Sequence, residues 1–175
     1  LMFAAPLDTW VRWDPQGVPG TYRFLQRVWT LVQDYCQTKD EGNESEKILR
    51  SIHPTIKKLT HDLEEQKYNT AIAAMMKCCN DLYDIKAKEG LFNNSSWRFA
   101  LESLVMLLGP FAPHISEELW HVLGHEDTVH IDHWPSWEDK YLVNDTITLA
   151  VQVNGKVRAE INVPKDMSEE DIKNT

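Results

Sequence analysis

The sequence predicts a mainly α-helical protein: a helical bundle of about five helices, followed by a β-hairpin that begins a small, truncated α/β module. Apolar residues recur at three- and four-residue steps over most of residues 18–124, which is the period of helices with one buried face. Gly90, Gly109 and Gly124 mark three predicted helix ends. From residue 146 the pattern changes to strict alternation of apolar and polar residues, which is typical of strands.

The composition indicates a globular protein. The chain has 175 residues, of which 42% are apolar, enough for one domain or one domain plus part of another. No apolar run approaches the ~20 residues that span a membrane, and no signal peptide opens the chain. The chain begins with Leu and its last residues, 168–175, resemble the start of a helix. We therefore expect a piece of a longer protein.

The net charge bears on whether the protein binds nucleic acid, and the cysteines bear on the redox compartment in which it works. A net charge of -9 argues mildly against nucleic-acid binding, although local patches decide that question more than the sum does. The three cysteines include the adjacent pair Cys78 and Cys79, whose side chains cannot both face one partner. A disulfide framework is therefore not expected. We expect a reducing, cytoplasmic setting.

The first predicted helix begins near Val18. Arg23 and Arg27 lie one turn apart on it, where they can share an anion or pair with carboxylates, and the spacing leaves both interpretations open. We expect the buried face of this helix to carry Val18, Tyr22, Leu25, Trp29, Val32 and Cys36.

Residues 44–88 predict two helices joined by a polar turn at residues 65–67, a hairpin around which other helices can pack. The first helix has an apolar stripe and, roughly opposite it, a face rich in cations. Pro54 lies inside that helix, where it removes a backbone hydrogen bond and should kink or restart the helix. We call the cation-rich face the cationic ridge and define it as Arg50, His53 and Lys57, with Lys47, Lys58 and His61 alongside.

Two interpretations of the cationic ridge remain open. It is a solvated helix face that is balanced by nearby acids, or it is a surface for RNA phosphates, which fix register without reading bases. The second interpretation rests on the apparent segregation of the acids to the two helix ends.

The remaining helix boundaries follow from capping residues. Asn69 or Thr70 is a plausible N-cap for the second helix of the hairpin, and Ser95 or Ser96 for the next helix, which is apolar on most sides and expected to be central. A fifth helix is predicted within residues 111–124, with Pro113 near its first turn and Gly124 as its stop.

The alternating residues 146–163 predict a β-hairpin. A three-residue loop at residues 153–155 would pair Val151 with Val157 and Leu149 with Ala159, with Gly155 at a bulge. The predicted domain organisation is therefore a connector at 1–17, a helical bundle at 18–124, a connector at 125–145 and a truncated C-terminal domain at 146–175.

The sequence carries no recognisable catalytic or metal-binding pattern. The seven histidines include no HExxH arrangement, and the cysteines no CxxC. Glu117 and Glu118 are adjacent, so they point about 100° apart and cannot act as an acid/base pair. Cys78 is expected to be a core thiol. We predict neither a catalytic site nor a metal site here.

Several stretches together resemble the C-terminal part of a bacterial-type leucyl-tRNA synthetase, a class I aminoacyl-tRNA synthetase. APHISEELW resembles a helix motif that the leucyl, isoleucyl and valyl enzymes share. The more specific stretches are MFAAP, VRWDPQGVPGTYRFLQRVW, HPTIKKLTHDLEEQKYNTAIAAMM and VQVNGKVRAEINVP. The resemblance covers nearly the whole chain in the right order.

The resemblance implies a parent enzyme that ligates leucine to tRNA(Leu) with ATP and Mg2+ and edits mischarged tRNA. That parent is expected to be cytoplasmic, monomeric and not bound to a membrane. This chain would be its non-catalytic, helical anticodon-binding-type domain with the start of the C-terminal domain, without a cofactor of its own. Its partners would be tRNA(Leu), whose body it supports, and the catalytic and editing domains of the same chain.

Carried onto this sequence, the resemblance makes eight residues candidates for RNA contacts: Arg23, Arg27, Arg50, His53, Lys57, Lys58, Lys156 and Arg158. Pro54 departs from the uninterrupted helix that the family leads us to expect. Two alternatives stay open. One is a helical protein-interaction scaffold, and the other is the equivalent domain of an isoleucyl- or valyl-tRNA synthetase.

Overall fold

The computed structural model confirms a mainly helical protein with five α-helices in its described part. The structure describes residues 2–10, 12 and 17–142, together with the backbone of two strands at 146–153 and 156–164. Two short 3-10 turns, Val129–Ile131 and Asp139–Tyr141, follow the helices. The helices are α1 (Val18–Gln37), α2 (Glu46–Glu64), α3 (Tyr68–Glu89), α4 (Ser95–Leu108) and α5 (Pro113–Val122).

Helix α2 lies at the centre of the packing. It contacts α3, α4 and the 3-10 turn at 139–141, whereas α1 packs against α3 and α5. Its apolar stripe is fully buried, as the three- and four-residue spacing predicts. The residues of that stripe without any exposed surface are Ile48, Ile52, Ile56 and Leu59.

The predicted central position of α4 agrees with its burial. Trp97, Leu101 and Leu104 have at most 1% of their surface exposed, and even the small polar residues Ser96 and Ser103 are buried. A helix that is apolar on several sides needs neighbours on several sides, and α4 has them in α2, α3 and α5.

Helix α1 buries a different face from the predicted one. Val18 and Tyr22, which were expected in the core, are 50% and 60% exposed. The sequence of α1 carries two apolar stripes offset by one residue, or about 100° of rotation, and contacts with α3 and α5 select between them. The buried residues are Phe24, Val28, Leu31, Val32 and Tyr35.

The helix ends correct two of the predicted caps. Helix α3 begins at Tyr68, and the Thr70 hydroxyl, instead of capping it, donates to Asp62 Oδ2 at 2.8 Å. Helix α4 is capped one residue earlier than predicted, by Asn94, whose Oδ1 accepts from the Trp97 N–H at 3.1 Å. The predicted stop of α3 at Gly90 is confirmed by its φ of 100°.

Pro54 does not restart helix α2. The helix runs without interruption from Glu46 to Glu64 with Pro54 inside it. Proline leaves the carbonyl of Arg50 without its usual helical donor. The buried residues Ile52 and Ile56 flank Pro54 and keep the helix against the bundle, so tertiary packing outweighs the local propensity.

The backbone of the C-terminal part forms two antiparallel strands, β1 (Thr146–Val153) and β2 (Lys156–Pro164). Their register differs from the predicted one, because Val151 lies opposite Ala159 instead of Val157. Val153 lies opposite Lys156, so two residues connect the strands, and the irregularity falls between residues 151 and 152. The connecting residues 154–155 and the helix predicted from 168 lie outside the described residues.

Candidate nucleic-acid interface

The exposed side of α2 carries three of the predicted contact residues. Burial of the apolar stripe turns Lys57 and Lys58 outward, with side chains 54% and 51% exposed. The Arg50 side chain is 29% exposed. The helix therefore presents guanidinium and ammonium groups along one outer face.

These cations are paired with carboxylates, which contradicts the expected segregation of charge. Arg50 Nη2 lies 3.1 Å from Glu46 Oε1, one turn away on the same helix. Lys58 Nζ lies 2.9 Å from Asp62 Oδ2. Glu46 is 61% exposed, and exposed pairs of this kind stabilise a protein by only about 0–1 kcal/mol, so Arg50 can exchange this carboxylate for a phosphate oxygen at a small cost in free energy. Asp62 is only 4% exposed and also accepts a hydrogen bond from the Thr70 hydroxyl, so the partner of Lys58 belongs to the bundle interior.

Lys57 contacts the segment that follows the helices. Its Nζ lies 3.9 Å from Asp139 Oδ1 and 6.0 Å from the centroid of the Trp137 ring. Trp134, also in the connector, lies against α2, where its Nε1 donates to Thr60 Oγ1 at 2.8 Å. The connector thus adds two indoles to the cationic side of α2.

The indoles of the connector were not predicted as part of the site. Trp134 and Trp137 remain 40% and 37% exposed. Aromatic rings beside cations are the combination that proteins use to stack on unpaired bases. The available signal was the tryptophan–proline pattern WPSW within an otherwise polar stretch at residues 134–137.

His53 does not belong to the exposed ridge, and its predicted exposed position is wrong. Only 2% of its surface is accessible, and its ring lies between those of Phe99 and Tyr141, with centroid distances of 4.9 and 4.7 Å. The backbone N–H of Glu138 donates to His53 Nδ1 at 3.1 Å. Burial lowers the pKa of His53, with the Glu138 carboxylate acting in the opposite direction.

The arginines of α1 form a second group, on the side of α1 that meets α3. The Arg27 guanidinium lies 4.4 Å from the centroid of the Tyr83 ring and donates to Asn80 Oδ1. Tyr83 Oη donates back to the Arg27 carbonyl oxygen at 3.0 Å. Arg23 is exposed one turn earlier. Cation–π contact and two hydrogen bonds therefore fix Arg27, while Arg23 stays accessible.

Lys86 is a further cation of this group that the sequence analysis missed. Its Nζ lies 5.6 Å from the Tyr83 ring centroid and pairs with Asp34 of α1. The signal was its place three residues after Tyr83 on the same helix face.

Helix α3 separates the two cation groups. It faces α1 through Asn80, which accepts from Arg27, and faces α2 through Cys78, whose sulfur lies 3.6 Å from Ser51 Oγ. The structure therefore does not bring the arginines of α1 together with the cations of α2. The side chains of the remaining candidates, Lys156 and Arg158, lie outside the described residues.

The described residues offer no metal centre. Within the described part of the chain, no group of three or more His, Cys, Asp or Glu side chains can hold a metal ion. In the same residues, no helix combines the length and apolar character of a membrane span.

Comparison with known proteins decides the family. A family described as the anticodon-binding domain of tRNA ligase matches residues 45–173. The chain belongs to this anticodon-binding domain family. The matched range begins just before α2 and includes the connector and both strands.

Relatives of this domain are named leucine–tRNA ligase. One from a Geobacter species is 41% identical over 98% of this chain and 22% of its own length. One from Crocosphaera subtropica is 41% identical over 98% of this chain and 21% of its own length. The chain therefore spans about a fifth of the length of the curated relatives it matches.

A solved structure shares the fold. It is the crystal structure of a LeuRS–tRNA–LeuAMS ternary complex from Agrobacterium radiobacter, with a TM-score of 0.72 and 31% sequence identity. The match covers 99% of this chain and 23% of that one.

Proposed function

We propose that this chain is the tRNA-docking part of a leucine–tRNA ligase and performs no chemistry itself. The observation that carries the proposal is the identity of about 41% to leucine–tRNA ligases over 98% of the chain. The shared fold with a protein solved in complex with tRNA adds support. Exposed cations and indoles along α2 provide the chemistry that RNA docking needs.

The parent enzyme would ligate leucine to tRNA(Leu) in the cytoplasm, with ATP and Mg2+ bound by its catalytic domain and editing performed by another domain. In this organisation residues 1–17 and 125–145 are connectors, and residues 18–124 form the tRNA-binding bundle. Strands β1 and β2 would be the β-hairpin of a small α/β module at 146–175. The parent would act as a monomer whose catalytic and editing domains are the neighbours of this bundle.

The proposed contacts are with the RNA backbone. Lys57 and Lys58 keep about half of their side-chain surface exposed. The carboxylate partner of Lys57, Asp139, is 84% exposed, so a phosphate can replace it at a small cost in free energy. Arg50 lies on the same outer face, and Arg23 is exposed on α1. The proposed set, with Arg27 and the two C-terminal cations included, is Arg23, Arg27, Arg50, Lys57, Lys58, Lys156 and Arg158.

His53 leaves this set. A ring that is 2% exposed and accepts a backbone hydrogen bond presents no group to a phosphate. We infer that His53 affects the exposed surface of α2 only indirectly, through the connector residues that it contacts.

A helical protein-interaction scaffold is the second candidate. The observation that favours it is the pairing of the α2 cations with acids of the same chain, together with a net charge of -9. An isoleucyl or valyl enzyme is less favoured, because the relatives at 40–42% identity are named leucine–tRNA ligase.

Competition between tRNAs tests the proposal. A labelled tRNA(Leu) transcript is bound by the 175-residue chain and then displaced by unlabelled tRNA(Leu), tRNA(Val) or tRNA(Ile). The proposal predicts saturable binding that tRNA(Leu) displaces at least as effectively as the others. Absence of binding even at low salt, where phosphate contacts are strongest, would favour the scaffold. Preferential displacement by tRNA(Val) or tRNA(Ile) would favour those families.

A further inference from the structure

A buried imidazole is one of the points at which the connector is attached to the bundle. His53, in the middle of α2, lies between Phe99 of α4 and Tyr141 of the connector, with both pairs of rings inclined by 23°. The Glu138 N–H donates to His53 Nδ1 at 3.1 Å. Three elements that are distant in the sequence therefore meet at one side chain.

This arrangement requires a neutral imidazole. The Nδ1 atom accepts a hydrogen bond, so it carries no proton, and in the neutral ring the proton is on Nε2. Protonation at Nδ1 would place an N–H donor opposite the Glu138 N–H. The hydrogen bond would be lost and a charge would be buried at a 2% exposed position.

The charges around His53 do not compensate for that protonation. On the connector, Glu138 and Lys140 face the ring with opposite signs, and they pair with each other at 2.7 Å. Asp139 is occupied by Lys57 at 3.9 Å. Helix α4 contributes the uncharged ring of Phe99.

On α2 itself, two of the residues one turn away from His53, Arg50 and Lys57, are cations. Neither of them favours a second positive charge nearby. Burial therefore dominates, and the pKa of His53 lies below its ordinary value.

We propose that neutral His53 holds connector residues 138–141 against α2 and α4, and that its protonation releases this segment. Release would carry Trp137 and Asp139 away from Lys57. It would change the exposed surface of α2 without unfolding the bundle. This inference does not depend on whether the chain binds RNA, because it concerns contacts within the chain alone.

The sign of the pH effect follows from linkage. The released histidine has the higher pKa, so the released state binds more protons than the docked state between the two pKa values. Docking is fully stable above the ordinary pKa of 6.5 and weakens as the pH falls toward the depressed value. Over that window the opening equilibrium constant rises by up to about tenfold per pH unit.

Hydrogen exchange of the full chain measures this opening. The peptide that spans residues 136–142 is followed by mass spectrometry between about pH 5 and 7.5, with rates corrected for intrinsic exchange, and a peptide from α4 serves as reference. The proposal predicts exchange at 136–142 that rises below about pH 6.5 while the α4 peptide stays protected. Lys140 holds the pKa of Glu138 below its ordinary value, so Glu138 stays ionised throughout.

Two substitutions separate titration from packing. His53→Asn keeps an oxygen acceptor near the position of Nδ1 but cannot titrate, so its exchange profile should be flat with pH. His53→Phe keeps a ring but has no acceptor, so exchange should be fast at every pH. His133→Asn replaces a fully exposed histidine of the same connector and should keep the wild-type profile.

A flat wild-type profile, or a pH dependence that persists in His53→Asn, would overturn the proposal. If His53→Phe fails to fold, the comparison of the wild type with His53→Asn and His133→Asn still decides between the outcomes.

Discussion

The carboxylate of Glu44 joins the start of α2 to the start of α4. Its Oε1 accepts from the backbone N–H of Ser95 at 3.0 Å, and its Oε2 from that of Ser96 at 2.9 Å. Both serine hydroxyls donate to the same carboxylate. A negative charge at a helix N-terminus with four donors is a favourable capping arrangement. The Ser96 hydroxyl is the main cause that lowers the pKa of Glu44.

We expect Glu44→Ala to reduce the free energy of unfolding by about 1 kcal/mol at neutral pH, because it removes a cap of α4. The pKa of Glu44 is depressed in the folded state, so its contribution is present above its ordinary pKa of 4.5 and lost as the pH falls through the folded value. Urea unfolding of wild type and variant should therefore converge at acidic pH. Glu41→Ala, an exposed acid of the same loop, is the control. A constant difference at all pH values would contradict the ionic cap.

The three cysteines should differ sharply in reactivity. Burial raises the pKa of the Cys79 thiol to about 11 and also raises the pKa of Cys78 and of Cys36. Only Cys36 is exposed, so only its sulfur is accessible to a reagent in the native chain. A thiol reagent should therefore modify one cysteine per native chain and all three after denaturation. Mass spectrometry should locate the native adduct at Cys36, and Cys36→Ser should abolish it. Rapid native modification of Cys78 or Cys79 would contradict their burial.

Gly42 permits a close approach of the loop before α2 to Phe92. Its φ is +49°, and a Cβ at this position would overlap the Phe92 ring. Gly42→Ala should therefore reduce the free energy of unfolding by about 1–3 kcal/mol. Gly124→Ala is the matched control, since Gly124 also has a positive φ but nothing within 4 Å. Equal losses in the two variants would show that backbone strain alone is responsible.

Helix α2 is the element in which local propensity and tertiary packing disagree. Pro54 lies within an unbroken helix, so the folded state lacks one backbone hydrogen bond and is less stable for it. Pro54→Ala should restore the donor for the Arg50 carbonyl and stabilise the protein by about 2 kcal/mol, after allowance for the greater entropy of the unfolded chain. Pro110→Ala, outside the helices, should have no such effect. A loss of stability in Pro54→Ala would mean that the proline ring is needed for packing.

The sequence predicts the buried face of a helix correctly where its apolar residues allow only one choice of buried face. Helix α2 carries one apolar stripe and α4 is apolar on most sides, and both are buried as predicted. Helix α1 carries two adjacent stripes, and only its contacts with α3 and α5 determine which is buried. The caps at Lys67 and Asn94 were missed by one to three residues, because Thr70 and Ser96 are used by Asp62 and Glu44.

For the candidate site, too, the sequence predicts what depends on local periodicity and misses what depends on long-range contacts. Periodicity correctly turns Lys57 and Lys58 outward. It cannot place His53, because the group that covers this residue is the Glu138 backbone, 85 positions later in the chain. The same long-range contact brings Trp137 beside Lys57, which no local pattern indicates.

At the scale of the whole molecule, the net charge of -9 conceals a local distribution of cations on two sides of α3. One group lies on α2 and the connector, and the other on α1 and α3. We propose that tRNA contacts both groups, at places that α3 keeps apart. Arg23→Ala should therefore weaken tRNA binding independently of substitutions on α2, so that the two effects add in a double-mutant cycle.

The salt dependence of tRNA(Leu) binding measures how many phosphate contacts α2 makes. Affinity is measured over about 50–300 mM salt for the wild type, Arg50→Ala/Lys57→Ala and the control Lys39→Ala/Lys88→Ala, which removes two exposed lysines that are not part of the ridge. We predict that the α2 variant binds more weakly and that its salt slope decreases by about one unit per cation removed, while the control retains the wild-type slope. Unchanged affinity and slope in the α2 variant would contradict the central claim that α2 docks the RNA backbone.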